Sequence, residues 1–266
     1  MKDKVIALLE PGVCDPESIL WFDSIDSTNT RAKQLAADGA PERTFLIADR
    51  QTGGRGRLGR SFLSPGGMGV YMSVILRPQC KPAELMHLTC AAAVAMCNAV
   101  EEAAGFRPGI KWTNDLVFGS KKLGGILTEL SVDAKTGLVE YAVVGVGINC
   151  CQTAADFPEE LQGMATSVHL VTGQTIDRCR LAAAVIRAFK RMASDFLVCK
   201  NAIMNQYQTD CVTIGNEVIV LRGEEKRYGK ALEVDSDGGL LVEYTDGTRQ
   251  VVTSGEVSVR GMYGYI

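Results

Sequence analysis

The chain has 266 residues, 46% of them hydrophobic, with a formal net charge of −3 and a pI near 5.6. This supplies a full core for one large domain, or a large and a small one, and excludes broad electrostatic adhesion to nucleic acid or anionic membranes. No apolar stretch runs uninterrupted for the roughly 20 positions a bilayer span needs, and the first ten residues are too weakly apolar for a secretory signal, so a cytoplasmic location without a membrane partner is expected.

After a lead-in over 1–20, Trp21 and Phe22 precede the DSTN segment at 26–29. This opens a predicted helix over 30–38, with Ala32, Leu35 and Ala36 on one face and Gly39 and Pro41 ending it. Strands are predicted over 45–48 and 70–77. The clearest helical period lies over 83–104, where Leu85, Leu88, Ala92, Met96 and Val100 recur before Gly105. Strands over 115–118, 125–132 and 141–149 are joined by connections too short for crossover helices, so these neighbours should pair antiparallel. A second long helix is expected over about 178–199, through Leu181, Val185, Ile186, Phe189, Met192 and Phe196. The expected class is α+β: a mixed, largely antiparallel sheet with helices packed on one face.

From about Val212 the texture changes. Segments 217–222, 228–234, 239–244 and 249–253 alternate apolar and polar residues, separated by turn signals at Gly223-Glu224, Asp237-Gly238 and Asp246-Gly247. A small β-barrel over 212–266, following a catalytic or binding domain over 21–211, is the expected organisation.

The nine cysteines form no C-x-x-C pair, and the two histidines, His87 and His169, stand apart from ligand-spaced partners. Reduced, mostly buried thiols and no metal site follow.

Residues 51–60, QTGGRGRLGR, hold four glycines and three arginines. Glycine exposes backbone N–H groups and arginine adds forked cationic donors, so the segment suits an anion such as a nucleotide phosphate. Its letters also fit G-x-G-x-x-G, and a P-loop with Arg60 in the lysine position. Both motifs need a helix next. Here a turn cluster at 64–67 and a strand follow instead, which leaves a phosphate-closing loop, a solvated linker or a nonspecific RNA contact.

Lys111, beside Trp112 at a strand end, can set a compact positive charge against a phosphate or carboxylate, or can be a surface lysine. Gly124 and Gly125 permit close approach of a flat ligand, or mark a bulge. The run 143–149, VVGVGIN, alternates glycine within a strand and ends at Asn149, which implies that a ligand or another part of the chain packs closely on one face.

Taken in order, DSTN at 26–29, Gln51 with GRGRLGR at 54–60, KWTND at 111–115, KLGGIL at 122–127 and GVGIN at 145–149 resemble the motifs of biotin protein ligases. The segment 255–261, GEVSVRG, is similar to that family's C-terminal module, and the resemblance spans nearly the whole chain from about residue 20. It implies an SH3-like barrel at the C-terminus and a two-step reaction. Biotin and MgATP give biotinyl-5′-AMP and pyrophosphate, and a lysine of a biotin-carrier domain, belonging to a biotin-dependent carboxylase, then attacks the mixed anhydride.

By matching position, Ser27, Thr28, Asn29 and Gln51 would contact the biotin ring system. Arg55, Gly56 and Arg57 would lie in a loop that orders over biotin and adenylate, and Lys111 would bridge the biotin carboxylate and the α-phosphate. The resemblance makes Lys111, Arg55 and Arg57 the catalytic residues, adds Gly124 and Gly125 to the biotin site, and gives the nucleotide to Arg55, Arg57, Arg60, Lys111 and Asn149, with an adenine-side loop over about 150–165. Lipoate ligases, or a noncatalytic biotin or nucleotide regulator, are the alternatives.

Three departures stand out. Thr113 occupies a usual proline position, and Phe62 replaces a frequent tryptophan. Fewer than 30 residues precede the DSTN segment, which is too short for the winged helix-turn-helix of bifunctional members, so a monofunctional type without specific DNA binding is expected. Dimerisation through sheet edges is common in the family, and a homodimer is compatible with the resemblance.

Overall fold

The structure is a computed structural model that describes residues 1–222, 224–253 and 256–259. Helix α1 (Lys2–Ala7) leads into β1 (Ile19–Ile25) and α2 (Thr28–Ala37), and then β2 (Phe45–Gln51) and β3 (Gly69–Leu76) bracket the glycine–arginine loop. Helix α3 (Leu88–Ala104) is followed by β4 (Gly109–Lys111), β5 (Asp115–Phe118), β6 (Lys121–Val132) and β7 (Val139–Asn149). The short helices α4 (Glu159–Gln162) and α5 (Val168–Thr172) precede α6 (Arg178–Asp195) and α7 (Lys200–Asp210). Strands β8 (Glu217–Arg222), β9 (Glu225–Val234), β10 (Leu240–Tyr244), β11 (Arg249–Val252) and β12 (Glu256–Val259) end the described chain.

The first seven strands form one sheet in the order β1-β2-β3-β7-β6-β5-β4. Only β1 and β2 run parallel, because α2 is the crossover between them; the remaining neighbours are antiparallel hairpins or returns. Side chains alternate between the two faces. Phe45, Ile47, Met72, Val74, Val144 and Val146 join the main core with α3, α6 and α7, whereas Leu46, Ile75, Tyr141 and Val143 meet Ala32 and Ala36 of α2. The long helices thus share one face as expected, and the ten-residue α2 covers part of the other. Strand β3, covered on both sides, is buried at every position, which is why it lacks a polar–apolar alternation.

Helix α3 with its lead-in, Pro82–Ala104, is long and apolar enough to cross a membrane by length and composition, but most of that surface is buried inside the protein. The helix expected over 178–199 is α6, which ends at Asp195, and α7 is a separate helix beyond the expected span. The apolar period runs on through Phe196, but the chain turns at Leu197 and Val198, and Val198 is 79% exposed.

Strands β8 to β12 form a second, five-stranded antiparallel sheet in the order β11-β10-β9-β8-β12. Its turns follow the aspartate–glycine signals. Gly238 and Gly247 take φ of 88° and 80°, and Asp235 and Asp246 accept the turn N–H groups at 2.8–2.9 Å. The signal at Gly223, Gly255 of the family-like segment, and residues 260–266 lie outside the described residues. This sheet docks on the first through Trp112, whose Nε1 donates to Gly238 O at 2.8 Å and whose backbone N–H donates to Thr213 Oγ1 at 2.8 Å.

Candidate active site

The turn from β1 into α2 presents the DSTN residues. Ser27 caps α2, its hydroxyl accepting from Thr30 N–H. Thr28 and Asn29, buried in the first turn, are then fixed by polar neighbours. Thr28 N–H donates to Gln51 Oε1 at 2.8 Å, with the Thr28 hydroxyl 3.1 Å from the same oxygen. Gln51 Nε2 donates to Ser64 Oγ at 3.0 Å. Asn29 Nδ2 donates to Leu127 O at 3.2 Å and Glu129 Oε2 at 3.1 Å, and its Oδ1 accepts from Ser73 Oγ at 2.7 Å.

Proton counting orders this network. Ser73 has one hydroxyl proton, and its oxygen lies 2.8 Å from Thr28 Oγ1 as well. Because Asn29 Oδ1 can only accept, the Ser73 proton goes there, and the Thr28 proton goes to Ser73 or Gln51. Hydroxyl and amide groups are therefore oriented by one another.

The alternating glycines of β7 form the floor. A Cβ at Gly145 would sit inside the Asn29 carboxamide, and one at Gly147 would sit inside the Phe62 ring. The close packing expected over 143–149 is thus met by side chains of the site itself. Phe62 also packs edge-on to Tyr71, with ring centroids 6.5 Å apart.

The glycine–arginine segment is a tight hairpin. Gly56 N–H donates to Arg60 O at 2.7 Å and Phe62 N–H to Gly54 O at 2.9 Å. A Cβ on Gly54 would crowd Phe62 O and Ser64 Oγ, so this glycine answers to hairpin packing. Since the Gly56 amide is used internally, the arginine side chains carry most of the loop's capacity for anions.

Across the cleft, Arg57 Nη1 donates to Asn114 Oδ1 at 3.0 Å, while Asn114 Nδ2 donates to Ile126 O at 3.0 Å. Lys122 Nζ pairs with Asp115 Oδ1 at 2.6 Å. The Trp112–Thr113 peptide is cis, and Lys111 is only 7% exposed.

These elements enclose a cleft of ≈ 960 Å³, open solvent at its mouth included. Ser27, Thr28, Asn29 and Gln51 line one part; Arg55, Gly56, Arg57 and Arg60 line another; Lys111 and Gly125 line the strand side. Gly124 and Asn149 are not among the lining residues. Gly124 instead permits close backbone contact, since a Cβ there would lie 2.6 Å from Gly147 O. Asn149 Nδ2 donates to Thr166 O at 3.0 Å and its Oδ1 accepts from Gln152 Nε2 at 3.2 Å, which ties the end of β7 to the segment after α4. Ser73, Ser64 and Glu129 were not singled out from the sequence, and Asn114 was read only as part of the motif at 111–115. Isolated serines and a single acidic residue carry no periodic signal, and only the fold brings Ser73, Ser64 and Glu129 to the motifs.

Among the described lining residues, Arg55, Arg57, Arg60, Lys111 and Lys122 face one carboxylate, Asp115. That excess of positive charge suits anionic groups, and the adjacent small polar residues suit a neutral head group with fixed donors and acceptors. Elsewhere, His87 is buried with Nε2 2.6 Å from Phe196 O, and His169 Nδ1 lies 3.1 Å from Gln174 O. All nine cysteines are free. Burial pushes the Cys90 thiol up to about 12, and Cys97 and Cys150 also upward, so these remain protonated apolar groups.

Such a cleft suits an anionic ligand beside a polar head group, and comparison with known proteins places the chain in a family. Residues 21–149 match the biotin/lipoate A/B protein ligase family, and residues 213–260 match the biotin protein ligase C terminal domain. The chain is 36% identical over 239 residues to the bifunctional ligase/repressor BirA of Bacillus subtilis, covering 90% of this chain and 73% of that protein. It is 31% identical to the biotin–[acetyl-CoA-carboxylase] ligase of Mycobacterium tuberculosis, covering 87% and 85% respectively. Among solved structures, the biotin protein ligase from Aquifex aeolicus in complex with biotin and ATP is similar with a TM-score of 0.76 and 33% identity, covering 91% of this chain and 98% of that one. The chain belongs to the biotin protein ligase family.

Proposed function

We propose that this enzyme joins biotin to ATP and then passes biotin to a lysine of a biotin-carrier domain in a biotin-dependent carboxylase. In the first step a biotin carboxylate oxygen attacks the α-phosphorus, and the bond to the bridging oxygen breaks to release pyrophosphate. In the second, the lysine amine attacks the acyl carbon and AMP leaves. The relatives named as biotin ligases, and the neighbour solved with biotin and ATP, support this over a lipoate ligase or a noncatalytic regulator.

The observation that carries the reading is that the arginine hairpin and Lys111 share one cleft with the DSTN residues and Gln51. The carboxylate and the triphosphate repel one another, so cations at their junction lower the barrier most. Lys111, Arg55 and Arg57 take that part, and Arg60 reaches the nucleotide. Ser27, Thr28, Asn29 and Gln51 hold the ureido head, and Gly125, with Gly124 behind it, lets the ligand lie close to the sheet. Asn149 acts by anchoring the adenine-side segment. Residues 21–211 form the catalytic unit, followed by the small C-terminal barrel.

Among the described residues no group of three or more His, Cys, Asp or Glu could hold a metal ion. Magnesium would enter with ATP, held chiefly by phosphate oxygens, with Asp115 the carboxylate closest to hand. A cytoplasmic enzyme without a DNA or membrane partner fits the near-neutral charge.

A thermal-shift series tests the reading. Biotin with MgATP should raise the melting temperature well beyond either alone, because a tightly held adenylate stabilises in proportion to the logarithm of its concentration over its dissociation constant. A comparable rise with lipoate and MgATP, and none with biotin, would overturn it.

A further inference from the structure

Glu129 is not among the residues lining the cleft, yet two parts of the site, Asn29 and Arg55, meet on its carboxylate together with the neighbouring Lys33. Oε2 accepts from Asn29 Nδ2 at 3.1 Å, while Oε1 accepts from Lys33 Nζ at 2.7 Å and lies 3.3 Å from Arg55 Nη1. These donors come from the start of α2, the next turn of α2 and the arginine hairpin, so one side chain of β6 joins segments far apart in sequence. The Glu129 side chain is 20% exposed, against 46% for Arg55. Burial alone would raise its carboxyl, but the bonds from Lys33 and Asn29 and the charges of Lys33 and Arg55 outweigh this and hold it below the ordinary carboxylate range.

The geometry gives the two oxygens different work. Asn29 Oδ1 is already committed to Ser73, so the bond to Oε2, with that to Leu127 O, decides which way the carboxamide faces. Oε1 supplies the anion against which Arg55 is held, in a hairpin whose tip is exposed at Leu58. Lys33 offsets part of the carboxylate charge without lining the cleft.

We propose that Glu129 is a positioning residue that links the two halves of the site, setting the Asn29 amide with one oxygen and holding Arg55 in place with the other. This rests on the biotin-ligase reading of the cleft. Its consequence is that the head-group site and the anion loop are ordered as one unit, so loosening the carboxylate weakens biotin binding and speeds loss of biotinyl-AMP together.

The test uses the full chain and reads biotin affinity by calorimetry and biotinyl-AMP release by quench, in the wild type and in Glu129→Gln, Glu129→Ala, Arg55→Ala and the two double variants. Glutamine keeps an acceptor for Asn29 but removes the anion facing Arg55. Glu129→Gln should therefore weaken biotin about 3- to 10-fold and speed release similarly, and should have almost no effect when Arg55 is already alanine. Glu129→Ala should still weaken biotin in the Arg55→Ala background, because the Asn29 arm is lost too. Equal effects of Glu129→Gln with and without Arg55, or an unchanged affinity in Glu129→Ala, would overturn the proposal. A wild type that binds no biotin and forms no adenylate would instead sink the functional reading itself.

Discussion

Arg57 reaches across the cleft to Asn114, with Nη1 3.0 Å from Oδ1, so the arginine hairpin is fastened to the segment that follows Lys111. Asn114 is held in turn by both backbone groups of Ile126, which makes the far side of this clasp rigid. A hairpin fastened in this way can keep water from a reactive acyl-phosphate. Arg57→Gly removes both the guanidinium and the clasp. It is expected to release biotinyl-AMP at least about tenfold faster and to label lysines promiscuously, as a charge-assisted bond of this kind implies. Asn114→Ala should do the same to a smaller degree. Adenylate retention at the wild-type level in Arg57→Gly, followed by filtration of the loaded enzyme, would count against the clasp.

Gly145 is predicted to be intolerant of a side chain for a reason specific to binding. An added methyl there overlaps the Asn29 carboxamide and must displace it from Ser73 and Glu129. Gly145→Ala should weaken biotin by about tenfold or more, in keeping with the roughly 1–3 kcal/mol cost of overpacking. Calorimetry on a variant shown to be folded by circular dichroism decides this; unchanged affinity would mean that Asn29 is not part of the biotin site.

The two sheets are joined by the indole of Trp112. Trp112→Phe keeps an aromatic ring but leaves Gly238 O without that donor, and it is expected to destabilise the protein by about 1–3 kcal/mol. Urea unfolding monitored by far-ultraviolet circular dichroism reads the loss. A midpoint equal to that of the wild type would show that the C-terminal sheet does not depend on this bond.

Acid sensitivity follows from Glu129. Its folded-state carboxyl is held below the ordinary carboxylate range, with Lys33, Asn29 and Arg55 facing it, so its contribution to stability is complete above the unfolded value and fades as pH falls through the lower folded one. The stability difference between wild type and Glu129→Gln should be constant above about pH 5.5 and should shrink on acidification below the ordinary carboxylate range. A difference that grows as the pH falls would have the wrong sign for this pair.

Long apolar elements were legible from sequence, and α3 and β3 are the clearest cases: α3 repeats its large apolar residues at helical spacing, and β3, buried at every position, is a continuous run of strand-forming residues. Strand β1 and helix α7 were not: β1 is an edge strand of mixed polarity, and among the eleven residues of α7 only Met204, Tyr207 and Asp210 are buried. The glycines at 145 and 147 signalled close packing correctly in kind, but whether a ligand or a side chain fills the space needed Asn29 and Phe62 to be placed. Glu129 illustrates the limit best. A single acidic residue in a strand looks like any solvated charge until the fold sets Asn29, Lys33 and Arg55 around it.

The most direct measurement is transfer of labelled biotin from ATP-activated enzyme to a purified carrier domain, run beside Lys111→Ala. Wild-type transfer that depends on ATP, with loss of at least about a hundredfold in the variant at an unchanged fold, is the expected result for a cation at the reacting centre. Full activity in Lys111→Ala, or no transfer by the wild type, would contradict the assignment of this cleft to biotin activation.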